Sequence, residues 1–565
     1  MRNLFPKSVA AFTVVLFLSS TNENLFAQTI ATGFHKAFQV NASPELIGAW
    51  DILAGFDLDK DGKKEFIWIE DPPLSGGTTT TGVTWGVHYW ESDGDNKYVE
   101  RWSWRPTDVA TGNRSYPAIA LGDVDKDGLT ELYFGSPADA ASNPGKIVPR
   151  LYVFEHDGTN FPAEPQESWG LDRPASFQYI TSSLTIADVD NDTEDEIVMT
   201  SRNDSFGGAL GSTGGRTMLV VNAGGSQIGF GLADFEIEFA DSSAVLKGGA
   251  VYDAYVTDFD KSGKPEIWVF TWDMVSWAIY EATASNAYRL ANEVNQATEP
   301  NDEGERRGVR FVDMNKDGKL EMLVSTISGD GRPPTYVHVV ENPTNVSTLT
   351  TASFKKLGGN YADCAGSAFG DIDGDGLMDF LFAVADENDI KNRIIRLEYK
   401  GSGSVSDSTS YNWSVLYEDN VGVPDLRNIA IADLDGDNRM DILLTNLDVT
   451  STNEGIVIVL ESDVATAVQE TPLATPSSFK LSQNYPNPLA LNAATTIEFE
   501  LSKPEHVVVT LYDMSGREVG KLLDRQMNAG KWRVPFDGKG LAAGAYFYQL
   551  KAGKFNAAKK MVVVQ

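Results

Sequence analysis

A nine-residue acidic pattern recurs seven times in the chain and constrains the fold more than any other feature of the sequence. Its clearest copy runs from Asp371 to Asp379, with acids at positions one, three, five and nine and glycine at position six. Alternating carboxylates, a glycine turn and a closing acid supply the oxygen ligands that a hard cation such as Ca²⁺ requires. The sequence therefore predicts a series of cation-binding turns.

The seven acidic turns are numbered here 1 to 7 in chain order, and their starts lie 55 to 70 residues apart. Such a period suits a four-stranded sheet better than a helical hairpin repeat. Short apolar runs rich in β-branched and aromatic residues flank the turns, as Ala118–Leu121 and Leu132–Phe134 flank turn 2. Each unit is expected to hold a strand on either side of its turn, followed by a third strand and a weaker fourth.

Seven such units predict an all-β fold, a seven-bladed β-propeller over residues 28–464, because radial closure protects the edges of the sheets. The seventh unit has no candidate fourth strand before the chain enters a stretch of linker composition at residues 465–479. The segment Phe34–Val40, ahead of turn 1, is expected to supply that strand and close the ring.

The turns resemble the FG-GAP or VCBS-type repeats of integrin α-subunit propellers and bacterial surface proteins, over about residues 45–465. The stretch Ala368–Asp379 carries the closest match to that motif. The resemblance implies up to seven structural Ca²⁺ ions, each bound between the first and second strands of a blade. By motif position, the implied ligands of turns 1 to 7 are Asp57, Asp59, Asp61 and Glu65; Asp123, Asp125, Asp127 and Glu131; Asp188, Asp190, Asp192 and Glu196; Asp258, Asp260, Ser262 and Glu266; Asp313, Asn315, Asp317 and Glu321; Asp371, Asp373, Asp375 and Asp379; and Asp433, Asp435, Asp437 and Asp441.

Some turns depart from the pattern. Thr193 and Asn438 stand where the others have glycine at position six, and a β-branched threonine tolerates the left-handed backbone poorly. Ser262 and Asn315 replace a carboxylate with a neutral oxygen. Turns 3 and 4 are therefore expected to bind most weakly, and turn 6 looks best formed. The alternative interpretation is that these are solvated acidic turns without metal. Seven copies at regular spacing disfavour it.

Composition and the N-terminus indicate an exported protein. The formal net charge of −34 argues against a nucleic-acid partner, and the single cysteine rules out an intramolecular disulfide. Residues 1–27 combine two basic residues, a short apolar run and a Leu25-Phe26-Ala27 cleavage site, which predicts a signal peptide for export to the periplasm. The apolar run is too short for a transmembrane segment.

Residues 480–565 differ from the rest of the chain, with 12 Lys or Arg against 7 Asp or Glu. Strand-like runs predict a small immunoglobulin-like β-sandwich here. The segments Leu481–Pro488, Leu511–Gly516 and Gly544–Tyr546 and the C-terminal Lys-Met-Val-Val-Val-Gln resemble the type A C-terminal sorting domain of the type IX secretion system. This resemblance implies the type IX machinery as partner and a secreted protein or one attached to the outer-membrane surface.

No catalytic residues are assigned, because the five histidines form no cluster in sequence and no nucleophile elbow or zinc-binding helix motif occurs. Binding of an extracellular protein or glycan, by adhesion or as a lectin, is favoured over catalysis. The alternatives are a carbohydrate-active enzyme, either a polysaccharide lyase or a hydrolase, and a structural surface-layer component. A convergent acid pair or an Arg-rich cleft would favour the enzyme.

The binding surface is expected on the face opposite the acidic turns, where the longest loops fall, at 71–83, 136–148, 202–216 and 295–307. Aromatic and arginine side chains near these loops are candidate contacts, with packing inside the blades as the alternative for the aromatics. These candidates are Trp85, Arg105, Tyr116, Trp272 and Trp277.

Overall fold

The computed structural model divides the chain into two compact units, Met1–Ala467 and Val468–Gln565. The predicted signal peptide and most of the predicted linker lie outside the described residues. The structure describes residues 29–43, 46, 48–70, 85–106, 117–126, 128–135, 151–169, 179–204, 218–222, 235–241, 251–271, 276–295, 305–327, 335–361, 364–386, 391–420, 426–447, 449, 454–464, 479–484, 487, 489–490, 494–501, 505–514, 517–527, 530–537, 539 and 541–564.

Antiparallel strands form the first unit, beginning with β1 (Thr29–Ile30) and β2 (Phe34–Asn41). Five four-stranded sheets of consecutive strands follow, numbered 1 to 5. Their strands are β3 to β6 (Ala49–Phe56, Glu65–Glu70, Val87–Ser92, Tyr98–Trp104), β7 to β10 (Ala118–Gly122, Thr130–Gly135, Leu151–His156, Glu167–Trp169), β11 to β14 (Tyr179–Ala187, Glu196–Asp204, Met218–Asn222, Glu236–Asp241), β15 to β18 (Val251–Thr257, Glu266–Thr271, Ser276–Ala284, Ala287–Asn295) and β19 to β22 (Glu305–Val312, Glu321–Ile327, Thr335–Val340, Lys355–Tyr361).

Sheets 6 and 7 recruit the N-terminal strands. Sheet 6 consists of β23 to β26 (Cys364–Gly370, Asp379–Asp386, Lys391–Tyr399, Tyr411–Asn420) with β1 at its outer edge. Sheet 7 consists of β27 to β29 (Leu426–Ala432, Asp441–Asn446, Gly455–Ser462), with β2 as its fourth strand. Strand β2 pairs with β29 from Phe34 opposite Ser462 to Asn41 opposite Gly455. The prediction that the N-terminal segment completes the last unit is therefore confirmed.

The seven sheets follow one another in a closed order. The first strand of each sheet lies near a strand of the next sheet, and β27 of sheet 7 returns to β3 of sheet 1. Apolar cores lie between neighbouring sheets, as where Trp85 and Val87 of sheet 1 pack with Leu132 and Phe134 of sheet 2. This all-β architecture is consistent with a propeller, and it places one acidic turn between the first two strands of every sheet.

Irregular structure in the first unit includes three 3₁₀ helices, at Val346–Thr348, Thr351–Ser353 and Ser408–Ser410. Most second and third strands are buried along their length because they have sheets on both faces. In β4, for instance, every residue from Glu65 to Glu70 is buried. That burial is why these strands read as continuous apolar runs in the sequence.

The second unit places two sheets over one apolar core. Tyr548 lies in that core, where its hydroxyl accepts from the Asn484 backbone N–H at 2.7 Å and donates to the Ser482 carbonyl at 2.8 Å. One sheet has the order β30-β32-β35 and the other β31-β37-β36-β33-β34. These strands, β30 to β37, are Lys480–Leu481, Leu489–Ala490, Ala494–Leu501, Glu505–Asp513, Glu518–Met527, Gly530–Asp537, Gly544–Ala552 and Phe555–Val564.

Candidate metal centres

The closing acid of every acidic turn is buried and held in the same way. One of its carboxylate oxygens accepts the backbone N–H of the residue at position two, over distances of 2.8–3.1 Å in all seven turns. Each closing acid is the first residue of the second strand of its sheet, or the second residue in the case of Glu131, and is at most 3% exposed. The seven acids are Glu65, Glu131, Glu196, Glu266, Glu321, Asp379 and Asp441.

The second oxygen of most closing acids is buried without a hydrogen-bond partner among the described residues. This holds for Glu65, Glu131, Glu196, Glu266 and Asp441. Leaving a charged group buried and unpaired is strongly unfavourable. A bound cation would supply the missing contact, so these positions fit a metal ion better than a simple solvated turn.

The backbone conformation of the turns directs the acid at position one towards the interior of the turn. Residues at positions four and six have positive φ in all seven turns, including Thr193 at 79° and Asn438 at 69°. In turns 2 to 7 the N–H at position six donates to the acid at position one, as Gly318 does to Asp313 at 2.8 Å. The second oxygen of the first acid also accepts a backbone N–H in turns 3, 5 and 7, whereas in turns 4 and 6 it is buried without a hydrogen-bond partner among the described residues.

Carboxylate oxygens gather closely in turns 1 to 4. Three acids of each turn have ligand atoms within 4.8 Å of one another. Hard oxygen donors at this spacing suit Ca²⁺, with additional ligands from backbone carbonyls and water. The grouped acids are Asp57, Asp59 and Asp61; Asp123, Asp125 and Glu131; Asp188, Asp190 and Glu196; and Asp258, Asp260 and Glu266. The prediction for Asp127 of turn 2 concerns a residue outside the described part of the chain.

Comparison with protein families matches turns 1, 2, 5, 6 and 7 and the C-terminal unit. The FG-GAP-like repeat model matches residues 57–134, 313–382 and 371–444. The model of the secretion system C-terminal sorting domain matches residues 483–564. The chain carries FG-GAP-like repeats and a C-terminal sorting domain. Both resemblances predicted from the sequence are confirmed.

Solved structures similar to the chain share little sequence with it. PorZ, a surface component of the type-IX secretion system of Porphyromonas gingivalis, is 12% identical with a TM-score of 0.30, covering 89% of this chain and 68% of PorZ. A fructofuranosidase of Schwanniomyces occidentalis is 10% identical with a TM-score of 0.28, covering 80% of this chain and 91% of that enzyme. The exo-inulinase of Aspergillus awamori is 9% identical with a TM-score of 0.28, covering 94% and 93%. Likeness this low extends no activity of those proteins to this chain.

No curated protein matches the chain. Among the described residues, no helix has the length and apolar character needed to cross a membrane.

Three of the acidic turns also join neighbouring sheets. The acid at position three accepts a backbone N–H from the connection between the third and fourth strands of the next sheet. Asp190 of turn 3 accepts from Asn286 at 2.6 Å, Asp260 of turn 4 from Val346 at 3.0 Å, and Asp435 of turn 7 from Asn96 at 2.8 Å. The last of these contacts spans the junction between sheets 7 and 1. Ordering a turn therefore also orders the contact between two sheets.

Burial gives the closing acids unusual proton affinities in the absence of metal. Desolvation is the largest cause, and neighbouring turn carboxylates add to it while the backbone N–H donor opposes it. These effects raise the pKa to about 8 for Glu65, Glu131, Glu321 and Asp441, to about 9 for Glu196 and Glu266, and to about 7 for Asp379. Calcium binding to these turns is therefore expected to release protons near neutral pH.

Turn 3 carries backbone strain at Thr193. Its φ of 79° is a left-handed conformation that glycine adopts at the same position in turns 1, 2, 4, 5 and 6. We expect Thr193→Gly to raise the free energy of unfolding by about 1 kcal/mol, because it removes the clash of a β-branched side chain. Chemical denaturation in saturating Ca²⁺ measures this. Thr200→Gly serves as the control and should destabilise, since Thr200 lies buried in strand β12; a destabilised Thr193→Gly protein would contradict the expectation.

Two of the predicted binding aromatics belong to the core instead. Trp85 is fully buried and Trp277 is 2% exposed, each within an apolar cluster. For these two residues the alternative interpretation, blade packing, is correct. Arg105 pairs with Glu70. Tyr116, Trp272 and the four long loops other than their strand ends lie outside the described residues.

Sequence reasoning missed a charged network around His88 in sheet 1. The two imidazole nitrogens contact Glu70 at 2.6 Å and Glu100 at 2.5 Å, and the ring stacks on Trp68 with centroids 4.1 Å apart. These residues lie on three neighbouring strands, so only the register of the sheet brings them together. Because both nitrogens are engaged, the network fixes the edge of sheet 1 and offers no free imidazole base.

Polar side chains on the first strands of different sheets also interact electrostatically. The charges of Asp253 in sheet 4 and Arg310 in sheet 5 affect the pKa of Asp51 in sheet 1. Neither of those two sheets is a neighbour of sheet 1. Arg310 contacts the Tyr255 hydroxyl at 3.5 Å. We call Asp51, Asp253, Tyr255 and Arg310 the axial cluster. Burial first, with Asp253 adding to it, raises the pKa of Asp51 to about 6.

Proposed function

We propose that this protein is a calcium-stabilised seven-bladed β-propeller, exported by a type IX secretion system, that binds an extracellular protein or glycan. The buried, unpartnered oxygen that recurs on the closing acids is the observation that carries the calcium assignment. Oxygen-bearing side chains at positions one, three, five and nine of the turns would hold the ions. The contacts between turns and neighbouring sheets favour a structural role for them.

Export is assigned to residues 480–565 because the sorting-domain match covers nearly all of them. In a bacterium with a type IX system, the full chain should reach the surface or the medium, whereas a chain ending at residue 479 should stay in the periplasm. Fractionation followed by immunoblotting distinguishes these outcomes. A truncated chain that still leaves the cell would contradict the assignment.

The ligand is assigned to the end of the ring opposite the metal turns. Each first strand runs towards its acidic turn, so Asp51 and Asp253, both third in their strands, lie at the far end. Second strands end and third strands begin at that end of each sheet. A glycan array and a surface-protein pull-down with the Ca²⁺-loaded full chain test this. Binding abolished by Asp253→Asn or Arg310→Gln, but unchanged in Arg289→Gln at the outer edge, is the expected result.

A carbohydrate-active enzyme is the second candidate, and the axial cluster is the observation that favours it. A pair of carboxylates can divide the roles of general acid and base in glycoside hydrolysis. Asp51, with its raised pKa, would donate the proton and Asp253 would act as base or nucleophile. Incubating the protein with polysaccharides and measuring reducing ends tests this. Activity lost in both Asp51→Asn and Asp253→Asn would support catalysis, and turnover unaffected by either would refute this site.

A further inference from the structure

A positively charged side chain lies among the acids of turn 6. The guanidinium of Arg396, on the third strand of sheet 6, contacts the closing acid Asp379 from Nε to Oδ1 at 2.6 Å. Its Nη2 contacts Asp373 of the same turn at 2.7 Å and Glu398 at 3.0 Å. The Arg396 side chain is only 11% exposed, so its charge is held within the group of acids.

Arg396 is exceptional among equivalent residues of the seven sheets. It pairs with Leu381, the residue two positions beyond the closing acid. The residues that occupy this pairing position in the other six sheets are uncharged and buried. They are Tyr89, Val153, Val220, Ile279, Val339 and Val459.

The arginine changes what the closing acid can offer to an ion. Asp379 Oδ2 accepts the Ile372 N–H at 3.1 Å, as in every other turn, but Oδ1 is paired with Arg396. In turn 7 the closing acid is also aspartate, yet Asp441 Oδ1 has no hydrogen-bond partner within the described chain. There Val459, which pairs with Leu443, occupies the position that Arg396 has in sheet 6. Aspartate in place of glutamate therefore does not explain why the second oxygen of the closing acid is paired in turn 6. The presence of Arg396 explains it.

We propose that Arg396 replaces calcium at turn 6, so that this turn stays ordered without the ion and binds it far more weakly than the other turns. The Arg396 Nε–H donates a charge-assisted hydrogen bond to Asp379, and its Nη2 lies within ion-pair distance of Asp373 and Glu398. The guanidinium also places a positive charge where a divalent ion would have to enter. The turn whose sequence looks best formed for calcium is then the one that needs it least. This inference rests on the proposed calcium binding at the other turns.

The inference predicts that removing the arginine creates a calcium site. Asp371 Oδ1 and Asp373 Oδ1 are buried without hydrogen-bond partners in the described structure, and removing the arginine would add Asp379 Oδ1 to these available oxygens. Arg396→Val introduces the side chain that turn 7 has at the equivalent position. Native mass spectrometry of the full chain at saturating Ca²⁺ should show one more bound ion per chain than the unsubstituted protein.

Arg393→Val is the matched control. Arg393 lies on the same strand and pairs with Glu418 at 2.7 Å, and Glu418 belongs to no acidic turn. Its substitution should leave the ion count unchanged. If Arg396→Val does not fold, Arg396→Gln, which keeps much of the side chain's length without its charge, carries the same expectation.

A second measurement separates the new site from a change elsewhere. The fall in unfolding midpoint caused by chelator should be larger in Arg396→Val than in the unsubstituted protein, because turn 6 would then depend on calcium. Equal ion counts and equal chelator shifts would overturn the role of Arg396. An unsubstituted protein that binds no calcium would instead overturn the proposed function.

Discussion

Removing calcium is expected to lower the unfolding midpoint of the first unit by at least about 10 °C. An ion that binds only the native state stabilises it by about 2.7 kcal/mol per site when the free ion is at 100 times its Kd. Several sites acting together would contribute as much as the entire stability of a typical domain, about 5–15 kcal/mol. Metal-free turns would in addition hold several carboxylates within a few ångströms of one another.

Circular dichroism melts in excess Ca²⁺ and in excess EGTA measure this effect. Mg²⁺ is the control ion, because it demands a smaller, near-octahedral shell and keeps several of its own waters. Returning Ca²⁺ should restore the midpoint, and Mg²⁺ should restore little of it. An EGTA midpoint equal to the calcium midpoint would refute metal binding at most of the turns.

The fall in unfolding midpoint caused by calcium removal should also grow as pH rises from about 5 to about 8. In the metal-free protein the closing acids have pKa values of about 8 at Glu65, Glu131 and Asp441, above their ordinary values near 4. The native state then binds more protons than the unfolded chain in that window, so its stability falls as pH rises. Calcium removes this dependence by stabilising the ionised acids. The separation between the two melting curves should therefore widen from pH 6 to pH 8.

The acidic turns were predictable from the sequence because they are local. The ligand spacing, the glycine at position six and the flanking apolar strands all lie within a few tens of residues. Position four was missed although it has positive φ in every turn, because Lys60, Lys126, Lys261 and Lys316 stand there, and lysine is not a residue that signals a left-handed backbone. Asn191, Gly374 and Gly436 at the same position were the available signal.

Contacts that depend on register between strands were not predictable from one sequence. Arg396 lies 17 residues after the acid that it pairs with, and the position that it shares with Val459 appears only when the strands are aligned. The axial cluster draws on sheets far apart in the chain, and its charges meet only when the first strands converge. Strand β34 (Glu518–Met527) was missed because its mixture of charged and apolar residues shows no clear alternation.

Deleting the N-terminal strands is expected to have the second large effect, because it opens the ring. Strand β29, with which β2 pairs, is buried at all eight of its residues, and deletion of residues 29–42 would expose one of its edges. The Asp463 N–H to Gly33 carbonyl bond at 2.7 Å and the Ala42 N–H to Glu454 carbonyl bond at 3.0 Å fix both ends of this pairing.

The deletion removes seven residues that pair with β29, including the buried Phe34, so several kcal/mol of stability should be lost and the exposed edge should promote aggregation. Differential scanning calorimetry and light scattering of the chain starting at residue 43 measure both effects. A chain starting at residue 33 is the matched control, because it loses only β1, which pairs through two residues with β26. A peptide of residues 33–42 added in excess should restore part of the lost stability by re-forming the pair with β29. If the chain starting at residue 43 melted like the control, β2 would be an accessory strand and the ring would be held closed by the contacts between sheets 7 and 1 alone.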